Sequence, residues 1–573
     1  MSSRRKAALV AALAAAALAA QSCTSLPANT DPEVLRAYDP QPSEAQNLEP
    51  VAGEDPDVTL RGFYQAAAIP TQDYQAARGF LGDRAAVDWD PHESTLVIDR
   101  INITTSTTRG SNARAFEVAG EVVGSLDANG SYTAHTGSYR AEVELEKNAD
   151  DEWLLTDVPN GTLLERGQLL EHYRPRDVFF YRSGGDRLVG DRRWLYSQLR
   201  AEPSALINRV LRGPSEPLAP AVETRAPEDL TYTGFQDGTF HFDGAGGMSQ
   251  EEFSGLAAQL AWTLQRAQVS GPYFFEFDGS VLGGEDGVSA DDFTDVSPER
   301  EAESPPEFFA LNENGVSRVS ANTTQPVGGE LGQGGRVSSA EIADNGTAMA
   351  VRSRADGDSE LVVGAVDGPV APVLQASTIA RPTLEPDGES GWVVVDGERI
   401  VRASRGAGGA VETADVEAEE LEDLDGSVSV LRLSPDGARA ALIVDGRVYR
   451  AAVARPSPGE RRLEQLSEIA GRLEGTAVSL EWLPDGDLVV GTSNAQSPIW
   501  QLGHDGAELS PLPSENVSAP VVGVAATSST LYLTDSLAIR QRSAGMTEER
   551  RYWREVPGLQ GVRSLPIVAR ATE

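Results

Sequence analysis

Cysteine occurs once in 573 residues, at position 23, which excludes a disulfide framework and a thiolate metal site and leaves stability to packing. Histidine is sparse too. The five, His92, His135, His172, His241 and His504, stand singly with no H-x-x-x-H spacing, so no zinc site is expected and each reads as a surface residue. Lysine appears only as Lys6 and Lys147; every other base is arginine. With 48 Lys and Arg against 87 Asp and Glu, the formal charge of -39 excludes nucleic-acid binding through a basic surface and favours solubility. There is no P-loop, no G-x-S-x-G and no G-x-G-x-x-G after a strand, so neither a cofactor nor a catalytic nucleophile is expected. Past Ala20 no apolar run approaches the ~20 residues a membrane helix needs, and the rest of the chain is expected outside the membrane.

What is present begins at the N-terminus. Arg4, Arg5 and Lys6 precede an alanine-leucine-valine run from Ala7 to Ala20, which at about 1.5 Å per residue is too short to span a bilayer of about 30 Å. Residues 1–22 therefore read as an export signal. Cys23 falls where the run stops, and Ala20-Gln21-Ser22-Cys23 resembles a lipobox, with Ala20 where leucine is usual. In bacterial lipoproteins the thiol at this junction carries diacylglycerol, so Cys23 is the expected lipidation site. The alternative is a stray thiol beside an ordinary cleavage site. Residues 23–54, with Pro27, Pro32, Pro40, Pro42 and Pro50, read as a tether reaching on the order of 90 Å at about 3 Å per residue.

Between 57 and 86 apolar residues recur every three or four positions, which predicts two helices split at Pro70. Alternation then predicts strands over 94–103, 113–126, 131–145 and 152–158, with a hairpin turn at Asp127-Ala-Asn-Gly130. Helices followed by a strand meander over 55–165 resemble an NTF2-like α+β domain. A second unit, 174–282, opens with strands at 178–181 and 187–196. It carries a helix stopped by Gly213-Pro214 and a longer one capped by Ser249 and Glu252. The segments 213–222 and 256–268 resemble the GerMN domain, a small α/β module of unknown ligand. Residues 283–306 are acidic without calcium-loop spacing and read as an inter-domain linker; the acidic run 412–425 reads as an extended loop.

A repeat fills the remainder. Ala343-Asp-Asn-Gly346, Glu385-Pro-Asp-Gly388, Ser434-Pro-Asp-Gly437 and Leu483-Pro-Asp-Gly486 recur at intervals of 42 to 49 residues, each followed by a short β-rich run. The second and third continue through Val395-Asp-Gly397 and Val444-Asp-Gly446 into a partner strand. Antiparallel hairpins at this period predict a WD40-like β-propeller of about six blades over 307–573. A β-sandwich with similar turns is the alternative.

The succession of lipobox, proline tether, helix-then-strand domain, GerMN domain and propeller resembles the actinobacterial lipoprotein LpqB family. Residues 23–27, 60–63, 80–81 and 213–222 and the propeller carry the likeness. The resemblance implies a lipid-anchored protein on the extracytoplasmic face of the cell membrane, non-catalytic, accessory to the sensor histidine kinase MtrB in envelope homeostasis and division. As a binding module the chain would meet the extracellular part of that kinase through GerMN or propeller loops. As an enzyme or glycan-binding protein it would work on cell-wall glycan in the propeller funnel, where a cluster of buried carboxylates would mark it.

Overall fold

The computed structural model describes residues 48–108, 111–185, 187–198, 202–298, 305–406, 408–544 and 552–573. The expected signal 1–22, the lipidation site Cys23 and the tether as far as residue 47 lie outside the described residues. The last stretch of that tether is attached to the first folded domain, since Gly53 N donates to Asp151 O at 2.9 Å.

The helix Pro56–Ala67 starts with proline, where no backbone N–H is needed, and buries Leu60, Phe63, Tyr64 and Ala67 along one face. The expected second helix is instead two short ones, Gln75–Arg78 and Asp83–Asp88. Positive φ at Gln72, Asp73 and Tyr74 delays the start, and extended Gly82 separates the halves. These helices precede a sheet in the order Trp153–Asp157, Tyr132–Lys147, Ala113–Leu126, Thr95–Ile98, Thr162–Glu165, with Asn102–Thr108 also paired to Ala113–Leu126. Thr162–Glu165 joins parallel to Thr95–Ile98, and its four residues are too short for alternation to have revealed it. In the hairpin turn the Asp127 carboxylate accepts from Asn129 N and Ser131 N at 2.8 and 2.7 Å, the local bonding that makes Asp a turn former.

The second domain pairs Tyr173–Arg182 with Leu188–Tyr196 and, more briefly, with Val222–Glu223. Its other sheet runs Thr231–Gln236, Thr239–Asp243, Phe274–Phe277, Ser280–Leu282. The helix Gln250–Arg266 forms the crossover between the parallel strands Thr239–Asp243 and Phe274–Phe277, and Leu256, Leu260 and Leu264 on it are fully buried. Its capping box is reciprocal, Ser249 Oγ accepting from Glu252 N and the Glu252 carboxylate from Ser249 N. The acidic stretch 283–306 is not a free linker throughout. Val288 and Ala290 are buried, and Phe293 and Val296 pack on the domain core in Ala290–Val296, two short 3₁₀ turns kinked at Phe293. The Trp262 indole donates to Phe293 O at 3.3 Å.

Among the described residues six four-stranded antiparallel sheets make up the C-terminal domain. The innermost strands of five are Val337–Ile342, Thr383–Leu384, Val428–Leu433, Ala477–Trp482 and Gly523–Ala526. In the remaining blade the inner strand, Leu565–Val568, comes from the end of the chain and pairs with Phe308–Asn312. Each innermost strand contacts the next, Leu565–Val568 touching both Gly523–Ala526 and Val337–Ile342, so the ring closes and the short inner edges face only the centre of the ring. All four repeat glycines have positive φ: 84° at Gly346, 66° at Gly388, 66° at Gly437 and 88° at Gly486. The run 412–425 is not one extended loop: Val411–Asp415 is the outer strand of its blade and Glu419–Glu422 a helical turn. The Glu420 carboxylate accepts from Gln465 N and Leu466 N of the next blade at 2.9 and 2.7 Å.

Candidate functional site

Counting back five residues from each repeat glycine lands on Glu341, Thr383, Arg432 and Glu481. These lie at the same position on, or at the start of, the innermost strands of four blades, so closing the ring brings them together although 140 residues separate the first from the last. Arg432 Nη2 donates to Glu341 Oε1 at 2.8 Å and to Glu481 Oε2 at 2.7 Å, and its Nη1 to Pro382 O at 2.6 Å. Arg381 Nη2 donates to the other oxygen of Glu341 at 3.1 Å. Arg570, just past the closing strand, donates to Leu433 O at 3.0 Å and also to Ser434 O.

Burial works to raise the Glu341 carboxyl, but Arg432 and Arg381 outweigh it and hold it below the usual carboxylate range. Burial likewise pulls Arg432 down, and Glu341 and Glu481 push it above its ordinary value. Arg381 and Arg570 fall the other way, lowered by burial and by the neighbouring Arg432. Three guanidiniums thus face two carboxylates. A glycosidase requires one carboxyl that keeps its proton beside one that is ionised. Glu341 is locked in the ionised state, and Glu481 is held by the same Arg432.

The second concentration of buried charge is the junction between the middle domain and the propeller. Successive strands of a blade alternate direction, so the first-to-second and third-to-fourth connections share one face of the ring, and the strand Leu188–Tyr196 lies against that face at two blades. Arg192 pairs with Asp487 at 3.0 Å, the Trp194 indole donates to Asp505 Oδ2 at 2.8 Å, and Arg439 donates to Gly190 O at 2.6 Å. Arg182 forms a fork with the Glu573 carboxylate at 2.9 and 2.6 Å and donates to Asp436 O at 2.9 Å. The N-terminal domain joins the same junction: Trp194 N donates to Gly130 O at 2.7 Å, and Arg166 donates to Ala507 O. A side chain at Gly130 would approach within 2.8 Å of Trp194 O, so glycine permits this contact as well as the turn. Burial would raise the Asp487 carboxyl, but the adjoining Arg192 and His504 bring it down to about 2.

Of the histidines read as surface residues, His504 is the exception, 6% exposed within this junction, with its pKa lowered by burial and by Arg192. Its repeat-like His504-Asp-Gly506 turn carried the signal. Two carboxylates of the repeat turns, Asp436 and Asp485, are also engaged here. Asp436 bonds Ser434, Ala438 N and Arg439, and Asp485 is raised by burial and by Asp487. Elsewhere, a cavity of about 20 Å³ under the first helix, lined by Phe63, Tyr64 and Tyr139, has the volume of a single water.

The fold is that of a three-domain chain: an α+β domain, a GerMN-type module and a closed propeller. The chain belongs to the lipoprotein LpqB family. Residues 49–169 match the family model described as "Lipoprotein LpqB, N-terminal domain", 314–569 the "Lipoprotein LpqB beta-propeller domain", and 177–283 the model "Sporulation and spore germination". Lipoprotein LpqB of Corynebacterium diphtheriae is 38% identical over 99% of both chains, and that of Rhodococcus jostii 32% identical over 95% of both. Among solved structures, a putative 6-phosphogluconolactonase from Bacteroides uniformis covers 46% of this chain and 97% of its own, at 13% identity and a TM-score of 0.29.

Proposed function

We propose that the protein is held by lipid on Cys23 at the extracytoplasmic face of the cell membrane. There it acts as a non-catalytic accessory that binds a two-component sensor kinase of the MtrB kind, in envelope homeostasis and division. The observation that carries this reading over the glycan-processing one is the double engagement of Arg432 by Glu341 and Glu481, which ties both carboxylates into ion pairs. We read the N-terminal domain, with its helix on a sheet, as NTF2-like, serving with GerMN as a spacer and partner surface. Two or three acyl chains at ~0.8 kcal/mol per buried CH₂ hold a protein firmly. Confinement to one membrane layer then lets a contact of only micromolar strength, about −8 kcal/mol, become populated.

The test is site-specific crosslinking in intact membranes from propeller and GerMN loops, followed by identification of the captured protein. Capture of the sensor kinase, lost when Cys23→Ala protein leaves the membrane fraction, supports the reading. Glycan hydrolysis by purified protein, abolished by Glu341→Gln while the fold persists, replaces it with the enzyme.

A further inference from the structure

The centre of the propeller contains more positive charge than its own carboxylates neutralise. Arg381, Arg432 and Arg570 stand against Glu341 and Glu481, and Asp436, the next carboxylate acting on Arg570, is engaged by Arg439 and Ser434. In a chain of formal charge -39 this is a local inversion of sign. A buried charge is tolerated when paired or hydrogen-bonded. Arg432 is paired twice and Arg570 rests on two backbone carbonyls. Among the described residues Arg381 has a single protein bond, from Nη2 to Glu341, and the rest of its guanidinium fork is uncommitted.

The cluster is layered along the ring axis. In three blades the inner strand carries a β-bulge at the same place, three residues before the ring of charges, at Ser338, Ser429 and Val478, and all three are exposed. They form an open rim about 10 Å above the charges at ~3.3 Å per residue. By the repeat register Arg381 lies two residues nearer that rim than Arg432, which agrees with side-chain exposures of 24% and 2%. On the far side Arg570, held by Leu433 O and Ser434 O and followed by a tail that bonds Asp344 and Pro386, closes the floor. The centre is therefore a blind funnel with a cation partway down and two more behind it.

We propose that this funnel is a binding site for an oxyanion, a phosphate or carboxylate group entering past Ser338, Ser429 and Val478 and held by the free fork of Arg381 above Arg432 and Arg570. A planar guanidinium matches the paired oxygens of either group, and low-dielectric walls strengthen the attraction. The repulsive field of the acidic surface is screened within about 8 Å at physiological salt, so it does not cancel the local excess. The site is independent of the partner proposed above, and it uses Arg381 rather than the carboxylates on which the enzyme reading would depend.

The experiment is calorimetric titration of the full exported chain with inorganic phosphate and, separately, acetate, alongside thermal melts in each anion. Saturable binding of one of them, weakened at least about tenfold in Arg381→Gln and partly restored in Arg381→Lys, is expected from loss of a charge-assisted bond. Which anion binds assigns a phosphate-bearing or a carboxylate-bearing ligand. A gain in Tm that is equal in wild type and Arg381→Gln reports only general exclusion of these anions from the surface and overturns the proposal. Absence of saturable heat with both anions overturns it as well. Both variants retain the Arg432 pairs, and their melts without anion verify the fold.

Discussion

The ring centre and the domain junction are built from the same materials, buried arginines and carboxylates, and arrange them differently. At the junction each pair crosses the seam between two domains: Arg192 with Asp487, and Arg182 and Arg187 with Glu573. At the centre one guanidinium serves two carboxylates from two other blades, and two further arginines stand on either side of it. Pairs across a seam fasten two surfaces, each domain supplying one sign. Shared ones tie separate blades into a single unit and leave charge available.

The sharpest way to break the contrast is at Arg432. Arg432→Met should destabilise by about 3–5 kcal/mol, because buried Glu341 loses one partner and half-buried Glu481 the one arginine that bonds it among the described residues. The double change with Glu481→Leu should recover part of that loss. Urea melts of the three proteins decide it; a cost under about 1 kcal/mol for the single change would mean that the shared geometry contributes little. Gly437→Val comes next. Its φ is 66°, and a Cβ there would lie 2.9 Å from Pro386 Cδ and Cγ, so about 1–3 kcal/mol is expected. A midpoint equal to that of an exposed control would contradict the turn geometry.

Of comparable size is the loss on cutting one pair across the seam. Arg192→Ala should cost about 2–3 kcal/mol and should raise proteolytic cleavage between the middle domain and the propeller before either domain melts. Simultaneous loss of all domains would show that the seam does not open separately. The gentlest probe is pH. His504 has a lowered folded pKa, so the unfolded chain takes up a proton near neutrality that the folded one refuses, and stability falls as pH drops below about 6.5. Asp487 adds a second loss from about pH 4 down to its folded value of about 2. In His504→Gln the first part of the pH profile should flatten while the second remains.

Local chemistry made much of this legible. The strand Ala113–Leu126 has the limits its alternation predicted, the Ser249 cap is where the spacing placed it, and the four turn glycines have the positive φ that Asp-Gly corners require. The charged centre was written in the same repeat, five residues before each glycine. Read along the chain, however, Glu341, Arg432 and Glu481 look like ordinary strand charges, because only ring closure supplies the partner. The segment Ala290–Val296 was hidden by composition: Asp291, Asp292 and Asp295 dominate it, while contact with the core depends on Val288, Ala290, Phe293 and Val296 scattered between them.

The closing strand Leu565–Val568 also sets the order in which the molecule can assemble. It pairs with Phe308–Asn312, more than 250 residues earlier, so the blade that begins the ring lacks its inner strand until the end of the chain arrives. Joining ends so far apart carries an entropy cost that grows only as the logarithm of the loop, but it must be met before the long-range contacts return anything. The other five blades draw their strands from continuous sequence and can form beforehand. Until its last residues are in place the chain therefore carries an open, edge-exposing arc, and a truncation ahead of Leu565 would leave that arc open for good.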